Sequence, residues 1–145
     1  MQPEENKAII RRFLEEIFGG GNLELADELF APDYVLHDPA VPEEVRGPEG
    51  IKQYVSMYRS AYPDTHFTIE DQISEGDRVV TRWTGQGTHE GDLMGISPTG
   101  NQVTVTGIEF DRVSGGKVQE TWVNYDALGM MQQLGVIPPP EQAGA

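Results

Sequence analysis

Cysteine is absent from the 145-residue chain. Its absence excludes disulfides, thiolate nucleophiles and zinc sites built on thiolates, and it fits the reducing cytoplasm, which is the expected location. The sequence also lacks a positively charged leader followed by an apolar run, and it contains no stretch of about 18 consecutive apolar residues. We therefore predict a soluble protein that is neither exported nor inserted in a membrane.

Positive charge is scarce. Lysine and arginine total 10 against 24 aspartate and glutamate residues, so the formal charge is −14. A molecule with this charge repels phosphate backbones and anionic membrane surfaces, although the ordinary role of such a charge is solubility. We expect no nucleic-acid or membrane partner, and the remaining expectation is a small hydrophobic organic molecule.

Motifs for metals and cofactors are missing as well. The three histidines are scattered, without His-x-x-x-His or His-Glu-x-x-His spacing, and the glycine-rich stretches match neither a P-loop nor a dinucleotide fingerprint. No serine or threonine lies in a nucleophile-elbow sequence. The sequence therefore predicts no metal, no cofactor and no acyl-enzyme intermediate.

What is present is a clear order of patterns. Apolar residues at helical spacing dominate the first 62 residues, whereas short alternating runs separated by turn residues follow from residue 65. Helices are predicted at 3–18, 22–30 and 49–62, a short strand at 33–39, a loop at 40–48, and strands at 66–74, 78–89, 102–113 and 117–125. Early helices and late strands favour an α+β domain, in which helices cover one face of a curved antiparallel sheet and enclose a pocket. We assign this domain to residues 1–137 and a loose tail to 138–145.

The last predicted strand offers the first candidate site. Its period of two places Trp122, Asn124 and the following Asp126 on one face, as an aromatic surface, a hydrogen-bonding arm and a base. Asp126 also precedes a helical pattern that starts at Ala127, where it would act as an N-cap. Residue spacing leaves both roles for Asp126 open.

Two histidines are candidates for a partner group. His37 ends a predicted strand before Asp38-Pro39, where it could shuttle a proton or hold the following loop. His89 lies between glycines at 85, 87 and 91, which allow close approach of a ligand but also fit a β-bulge. Both roles remain open for each histidine.

Several segments resemble one known family when they are taken together. They are Tyr-Val-Leu-His-Asp-Pro at 34–39, Gly-Thr-His-Glu-Gly at 87–91, Gly-Ile-Ser-Pro-Thr-Gly at 95–100, and the stretch from residue 116 through Asp126 to Gln-Gln-Leu-Gly at 132–135. In this order, over residues 5–136, they resemble the SnoaL-like polyketide cyclase or ester cyclase group of the nuclear-transport-factor-two-like superfamily.

The resemblance implies a cone-shaped α+β barrel, with a curved antiparallel or mixed sheet covered by about three N-terminal helices. It also implies a homodimer formed through the outer sheet face, and metal-free aldol-type ring closure of a hydrophobic carbonyl compound. An aspartate on the last strand is the general acid/base of such cyclases, and Asp126 matches that position, with His37 and His89 as further catalytic candidates. The expected pocket residues are Asn124, Trp122, Trp83, Met94, Ile108 and Tyr34.

Three other functions stay open at this stage. A ketosteroid-isomerase-like reaction would need an acid such as Tyr34, Tyr54 or Tyr58 opposite the base. A binding module would use the same pocket without catalysis. A scaffold domain would fill the cone with large side chains, which the small residues Gly85 and Gly107 disfavour.

Overall fold

The helices lie where the spacing predicts them. In the structure, which is a computed structural model describing residues 3–138, the first helix turns from α to π geometry, and the second is a short 3₁₀ turn followed by one α-helical turn. The helical elements are α1 (Pro3–Arg12), the π-helix Phe13–Phe18, the 3₁₀ turn Leu23–Leu25, α2 (Ala26–Leu29), α3 (Gly47–Ala61) and α4 (Ala127–Gln133).

The π-helix brings four large apolar side chains to the same interior. Phe13, Leu14, Ile17 and Phe18 are all buried. The wider turn is completed by the amide of Gly19, which donates to the carbonyl oxygen of Leu14 at 2.9 Å, the i to i+5 pairing of a π-helix. The segment therefore presents two aromatic rings to the sheet.

Six strands form one mixed sheet. They are β1 (Phe30–His37), β2 (Val45–Arg46), β3 (His66–Glu75), β4 (Arg78–Thr88), β5 (Gln102–Ser114) and β6 (Lys117–Tyr125). Their order is β2-β1-β6-β5-β4-β3, and β1 runs parallel to β6 while every other pair is antiparallel. The α+β class and the mixed sheet are confirmed, but β2 lies inside the stretch predicted as a loop, and β1 begins at Phe30, earlier than expected.

The two faces of the sheet differ sharply in burial. Along β5, Val103, Val105 and Gly107 are buried while Thr104 and Thr106 between them are exposed. Helices α1 and α3 contact β3, β4 and β1 on the buried side, so the core lies between the helical layer and the inner sheet face.

Two predictions concern a membrane-spanning segment and the C-terminal tail. Between residues 3 and 138, no helix is long and apolar enough to cross a membrane. The predicted tail, apart from Pro138, lies outside the described residues.

Candidate active site

An apolar cavity lies between the helical layer and the inner sheet face. The space open to the centre of a water molecule is about 80 Å³. Aromatic and aliphatic side chains form most of the wall, and its rings come from Phe13, Phe18, Tyr54, Tyr58, Tyr62, Phe67, Trp83 and Tyr125. A concave, mostly apolar site with a few polar groups is the usual form of a small-molecule pocket.

Trp83 forms a flat part of the cavity wall. A Cβ atom built on Gly107 would lie 2.3 Å from Cζ2 of the Trp83 indole, so only glycine allows the ring to rest on the backbone of β5 at this position. The two residues are cross-strand partners in the β4–β5 register. The wall therefore presents an aromatic face suited to a planar ligand.

Two carboxyl groups are buried side by side on β5. Glu109 is 3% exposed and lines the cavity, and Asp111 is 1% exposed on the same face of the strand. The Thr121 hydroxyl donates to Oδ1 of Asp111 at 2.5 Å. Glu109 Oε2 and Asp111 Oδ2 have no hydrogen-bond partner among residues 3–138.

Burial perturbs both carboxyl groups. Loss of hydration raises the pKa of Glu109 well above its ordinary value, and the negative charge of Asp111 raises it further. Burial also raises the pKa of Asp111. Since two adjacent buried carboxyl groups cannot both ionise easily, the pair holds its last proton to a higher pH than an exposed carboxyl group does.

Tyrosine hydroxyls line another part of the wall. The Tyr58 and Tyr125 hydroxyl oxygens are 2.8 Å apart, and the Tyr54 hydroxyl donates to Oδ2 of Asp38 at 2.7 Å. Tyr62 is buried, and its hydroxyl has no partner within the described part of the chain. Burial raises the pKa of Tyr62 to about 12, so this hydroxyl keeps its proton at neutral pH.

Comparison with known proteins decides the family. The model of the SnoaL-like polyketide cyclase family matches residues 8–134. The chain belongs to the SnoaL-like polyketide cyclase family.

Characterised relatives of this SnoaL-like chain come from Streptomyces. It is 29% identical over 141 residues to the aklanonic acid methyl ester cyclase DnrD of Streptomyces peucetius, covering 92% of this chain and 93% of DnrD. It is also 29% identical over 130 residues to the nogalonic acid methyl ester cyclase of Streptomyces nogalater, with 88% and 95% covered.

Solved structures agree with this assignment. TsrD from Streptomyces laurentii superposes with a TM-score of 0.83 at 28% identity, over 94% of this chain and 99% of TsrD. The crystal structure of a candidate polyketide cyclase from Acidithiobacillus ferrooxidans gives a TM-score of 0.81 at 36% identity, over 90% and 94% of the two chains. A Catenulispora acidiphila protein with a ketosteroid-isomerase-like fold, 20% identical over 89% and 93% of the two chains, shares the fold with a TM-score of 0.76.

In this SnoaL-like chain, Asp126 does not face the cavity. It is exposed at the start of α4, and its Oδ1 accepts a hydrogen bond from the Gly129 amide at 2.8 Å. The expectation that Asp126 forms part of the pocket wall is wrong, because the carboxylate caps the helix instead.

The alternation of β6 is as predicted, but the other face points inward. Thr121, Val123 and Tyr125 line the cavity, whereas Trp122 is 40% exposed and Asn124 is exposed on the outer face. Trp122 and Asn124 therefore do not line this interior cavity, and together with His37 they border a more open depression instead. A period of two determines which residues share a face but not which face is inside.

The other predicted pocket residues lie in different places. Trp83 lines the cavity. Ile108 is 52% exposed on the outer sheet face, and Met94 is 42% exposed in the loop after β4. Tyr34 is fully buried in the core but is not part of the cavity wall. Ile108, Met94 and Tyr34 therefore do not line the interior cavity, and Met94 borders an open depression beside β2 and α3 instead.

Neither predicted histidine reaches the cavity wall. His37 lies at the outer surface, where its Nδ1 is 2.9 Å from Oε2 of Glu44, its Nε2 is 2.7 Å from Oε2 of Glu120, and its ring stacks on Trp122. His89 is buried, and its Nδ1 accepts from the Thr99 amide at 3.1 Å. His37 contacts the loop that follows it, which was one of its two predicted roles, whereas the burial of His89 against residue 99 was not predicted.

Glu109 and Asp111 were missed, although the sequence carries a signal for them. They continue the odd-numbered series Val103, Val105 and Gly107, whose period of two marks the inner face of β5. Acidic residues at two successive inward positions break the apolar pattern, and such a break is the mark of a functional site.

Proposed function

We propose that this SnoaL-like protein binds a small aromatic carbonyl compound in the cavity and exchanges protons with it through Glu109 and Asp111. One observation carries the proposal: Glu109, a buried carboxyl group with a raised pKa, lies at the wall of an otherwise apolar cavity, and a second buried carboxyl group, Asp111, lies next to it on β5. Perturbed titrating groups in a cleft are typical of acid/base sites. The proposed base is therefore Glu109 rather than Asp126.

The proposed step is enolisation. The singly ionised pair takes a proton from the carbon beside the ligand carbonyl, and the C–H electron pair moves to form an enolate whose charge lies on the carbonyl oxygen. The raised pKa of the pair makes it a stronger base than an exposed carboxylate. The proton stays on the pair and is available for return.

The proposed second step is ring closure, which uses the proton held by the carboxyl pair. The enolate carbon attacks a second carbonyl carbon of the same molecule, a C–C bond forms, and the pair returns the proton to the new alkoxide. The reaction is an isomerisation without a co-reactant. The names of the Streptomyces relatives, which are methyl ester cyclases, support a methyl ester as the class of substrate.

The test uses 2-tetralone, a bicyclic ketone with activated C–H bonds beside its carbonyl. We expect the protein to accelerate exchange of these hydrogens in D₂O, followed by proton NMR, and Glu109→Gln to lower the catalysed rate by about 10²- to 10⁴-fold. Asp126→Asn keeps the helix cap and is the matched comparison. Loss of exchange in Asp126→Asn, together with full exchange in Glu109→Gln, would assign the role of the base to Asp126. If the wild type itself does not accelerate exchange, the protein is a binding module.

We also propose a homodimer formed through the outer sheet face. Cross-strand register aligns an apolar row there, the outer row, made of Ile73, Val80, Phe110 and Trp122. Ile73 is 66% exposed, and Ile108 lies beside the row. An exposed apolar patch of this kind is typical of a protein interface. Location in the cytoplasm and the lack of nucleic-acid and membrane partners stay predictions from composition.

A further inference from the structure

Three tyrosine residues on the cavity wall have hydroxyl groups whose hydrogen-bonding capacity is not fully satisfied. Tyr58 and Tyr125 share one hydrogen bond, and Tyr62 makes none with the described residues. Tyr54 differs, since its hydroxyl hydrogen is committed to Asp38. All four rings line the same cavity.

The number of hydroxyl hydrogens determines how many hydrogen-bond donors these three tyrosines can offer to a ligand. A phenol has one hydrogen to donate, so the Tyr58–Tyr125 pair uses one of its two hydrogens and keeps the other, whichever residue donates. Tyr62 keeps its own hydrogen. Two unused O–H donors therefore lie at the wall of an apolar cavity, where an unpaired donor costs free energy unless a ligand pairs with it.

We infer that Tyr58, Tyr62 and Tyr125 form a donor site for a carbonyl oxygen of the ligand. The set offers only hydroxyl groups, and burial raises the pKa values of Tyr58 and Tyr125 as well as that of Tyr62. All three therefore remain protonated donors at neutral pH. Such donors select an uncharged oxygen acceptor and stabilise it further when it becomes an enolate.

The position of the donor site fits the carboxyl pair. In the register of β5 with β6, Tyr125 faces Gly107 and Val123 faces Glu109, so Tyr125 and Glu109 are diagonal neighbours on the inner face, with Cα atoms about 7–8 Å apart. The Trp83 ring covers Gly107, the residue opposite Tyr125. A planar ketone lying on the indole would direct its oxygen to the tyrosines and its adjacent C–H to Glu109.

The enolate part of this inference rests on the proposed function, whereas the binding part does not. The test therefore measures binding, by calorimetry, of 2-tetralone and of tetralin, the hydrocarbon of the same ring system. Tyr62→Phe removes one donor, and the triple variant Y58F/Y62F/Y125F removes every hydroxyl of the site. We expect ketone affinity to fall about 3-fold in the single variant and about 10-fold in the triple variant, with tetralin affinity changed less than about 2-fold.

Tyr34→Phe is the matched control. It also removes a buried hydroxyl without a partner among residues 3–138, but Tyr34 is not part of the cavity wall, so both affinities should stay unchanged. Thermal unfolding of each variant checks that the fold is intact. Equal loss of ketone and tetralin binding, or a ketone affinity in the triple variant equal to that of the wild type, would overturn the inference.

Failure of the two proposals can be separated. If Glu109→Gln stops exchange while the tyrosine variants bind the ketone normally, only the donor site is wrong. If the tyrosine variants lose ketone affinity while Glu109→Gln exchanges normally, only the assignment of the base is wrong. Binding of neither compound would overturn both.

Discussion

Glu109 and Asp111 place charge where the fold gains nothing from it. A carboxyl in an apolar interior loses its hydration, and a second one beside it adds repulsion, so the pair opposes folding whenever it is ionised. A destabilising pair of this kind fits the trade-off between stability and activity that the proposed function implies.

The pair should make stability fall as pH rises. Both carboxyl groups have a raised pKa in the folded state, so above about pH 4 the unfolded chain loses these protons while the folded chain holds them, and the free energy of unfolding decreases. We expect Glu109→Gln to be more stable than the wild type by about 1–3 kcal/mol at pH 8, and the difference to shrink towards pH 4. Urea unfolding at pH 4, 6 and 8 measures it.

Two other carboxylates have lowered pKa values, so they change the free energy of unfolding with pH in the opposite direction. Their contributions must cancel in the comparison of wild type and variant. Hydrogen bonds from Thr88 lower the pKa of Asp64, and hydrogen bonding with His37 lowers that of Glu120, so their contributions are lost as pH falls. Both are present in wild type and variant alike, so the difference isolates Glu109. Glu75→Gln, which changes an exposed carboxylate on β3, is the control, and a difference for Glu109→Gln that is constant with pH would contradict the argument.

Residue patterns determined which side chains share a face, but not which face is buried. On β6, a tryptophan beside an asparagine and an aspartate looked like an interior wall, whereas the inward residues are Thr121, Val123 and Tyr125. On β5, Glu109 and Asp111 would ordinarily count as solvent-facing, because a buried carboxylate is costly. The burial of Glu109 and Asp111 departs from that usual rule, and this is why the alternation alone did not identify them.

Asp126 stabilises helix α4 as its N-cap. The helix has seven residues and depends on its cap, and Met130 on its inner side lines the cavity. We expect Asp126→Ala to lower the free energy of unfolding by about 1 kcal/mol, because the Gly129 amide loses its acceptor. Asp126→Asn retains an acceptor and should cost less. Equal stability of all three proteins in urea unfolding would mean that the cap contributes nothing.

Element positions followed from sequence more readily than element pairing. Helical spacing in residues 3–18 and alternation in residues 102–113 are local signals, and the structure confirms helix and strand there. The parallel pairing of β1 with β6 joins segments far apart in the chain, and no local pattern encodes it. The two-residue β2 is likewise formed by its pairing with β1 rather than by its own composition.

The whole molecule carries a strong negative charge and yet exposes an apolar row on one face. The outer row is bordered by charged positions of both signs, among them Arg82, Arg112 and Glu120, so two copies could meet there without wholesale repulsion. Trp122, at the end of the row, has the size and character of an interface anchor.

Trp122→Arg should therefore weaken self-association. We expect the wild type to sediment as a dimer at about 10 µM and the variant to dissociate at least about 30-fold more readily, because an aromatic anchor residue contributes at least about 2 kcal/mol. Thr104→Arg adds the same charge to the outer face away from the row. Analytical ultracentrifugation of the three proteins decides, and a wild type that is monomeric at 100 µM would refute the dimer.

The parallel junction of β1 and β6 also bears on how the chain reaches its native state. Strands β3 to β6 pair with their sequence neighbours, through two-residue turns at 76–77 and 115–116 and a longer loop at 89–101. His37 and Glu120, which meet across the junction, are in contrast 83 residues apart. Closing a loop of that length costs entropy before any contact compensates it, and non-local pairing of this kind slows folding. We expect strands β3 to β6 to pair early. Pairing of β1 with β6 then comes late, closes the cavity and completes the burial of the carboxyl pair.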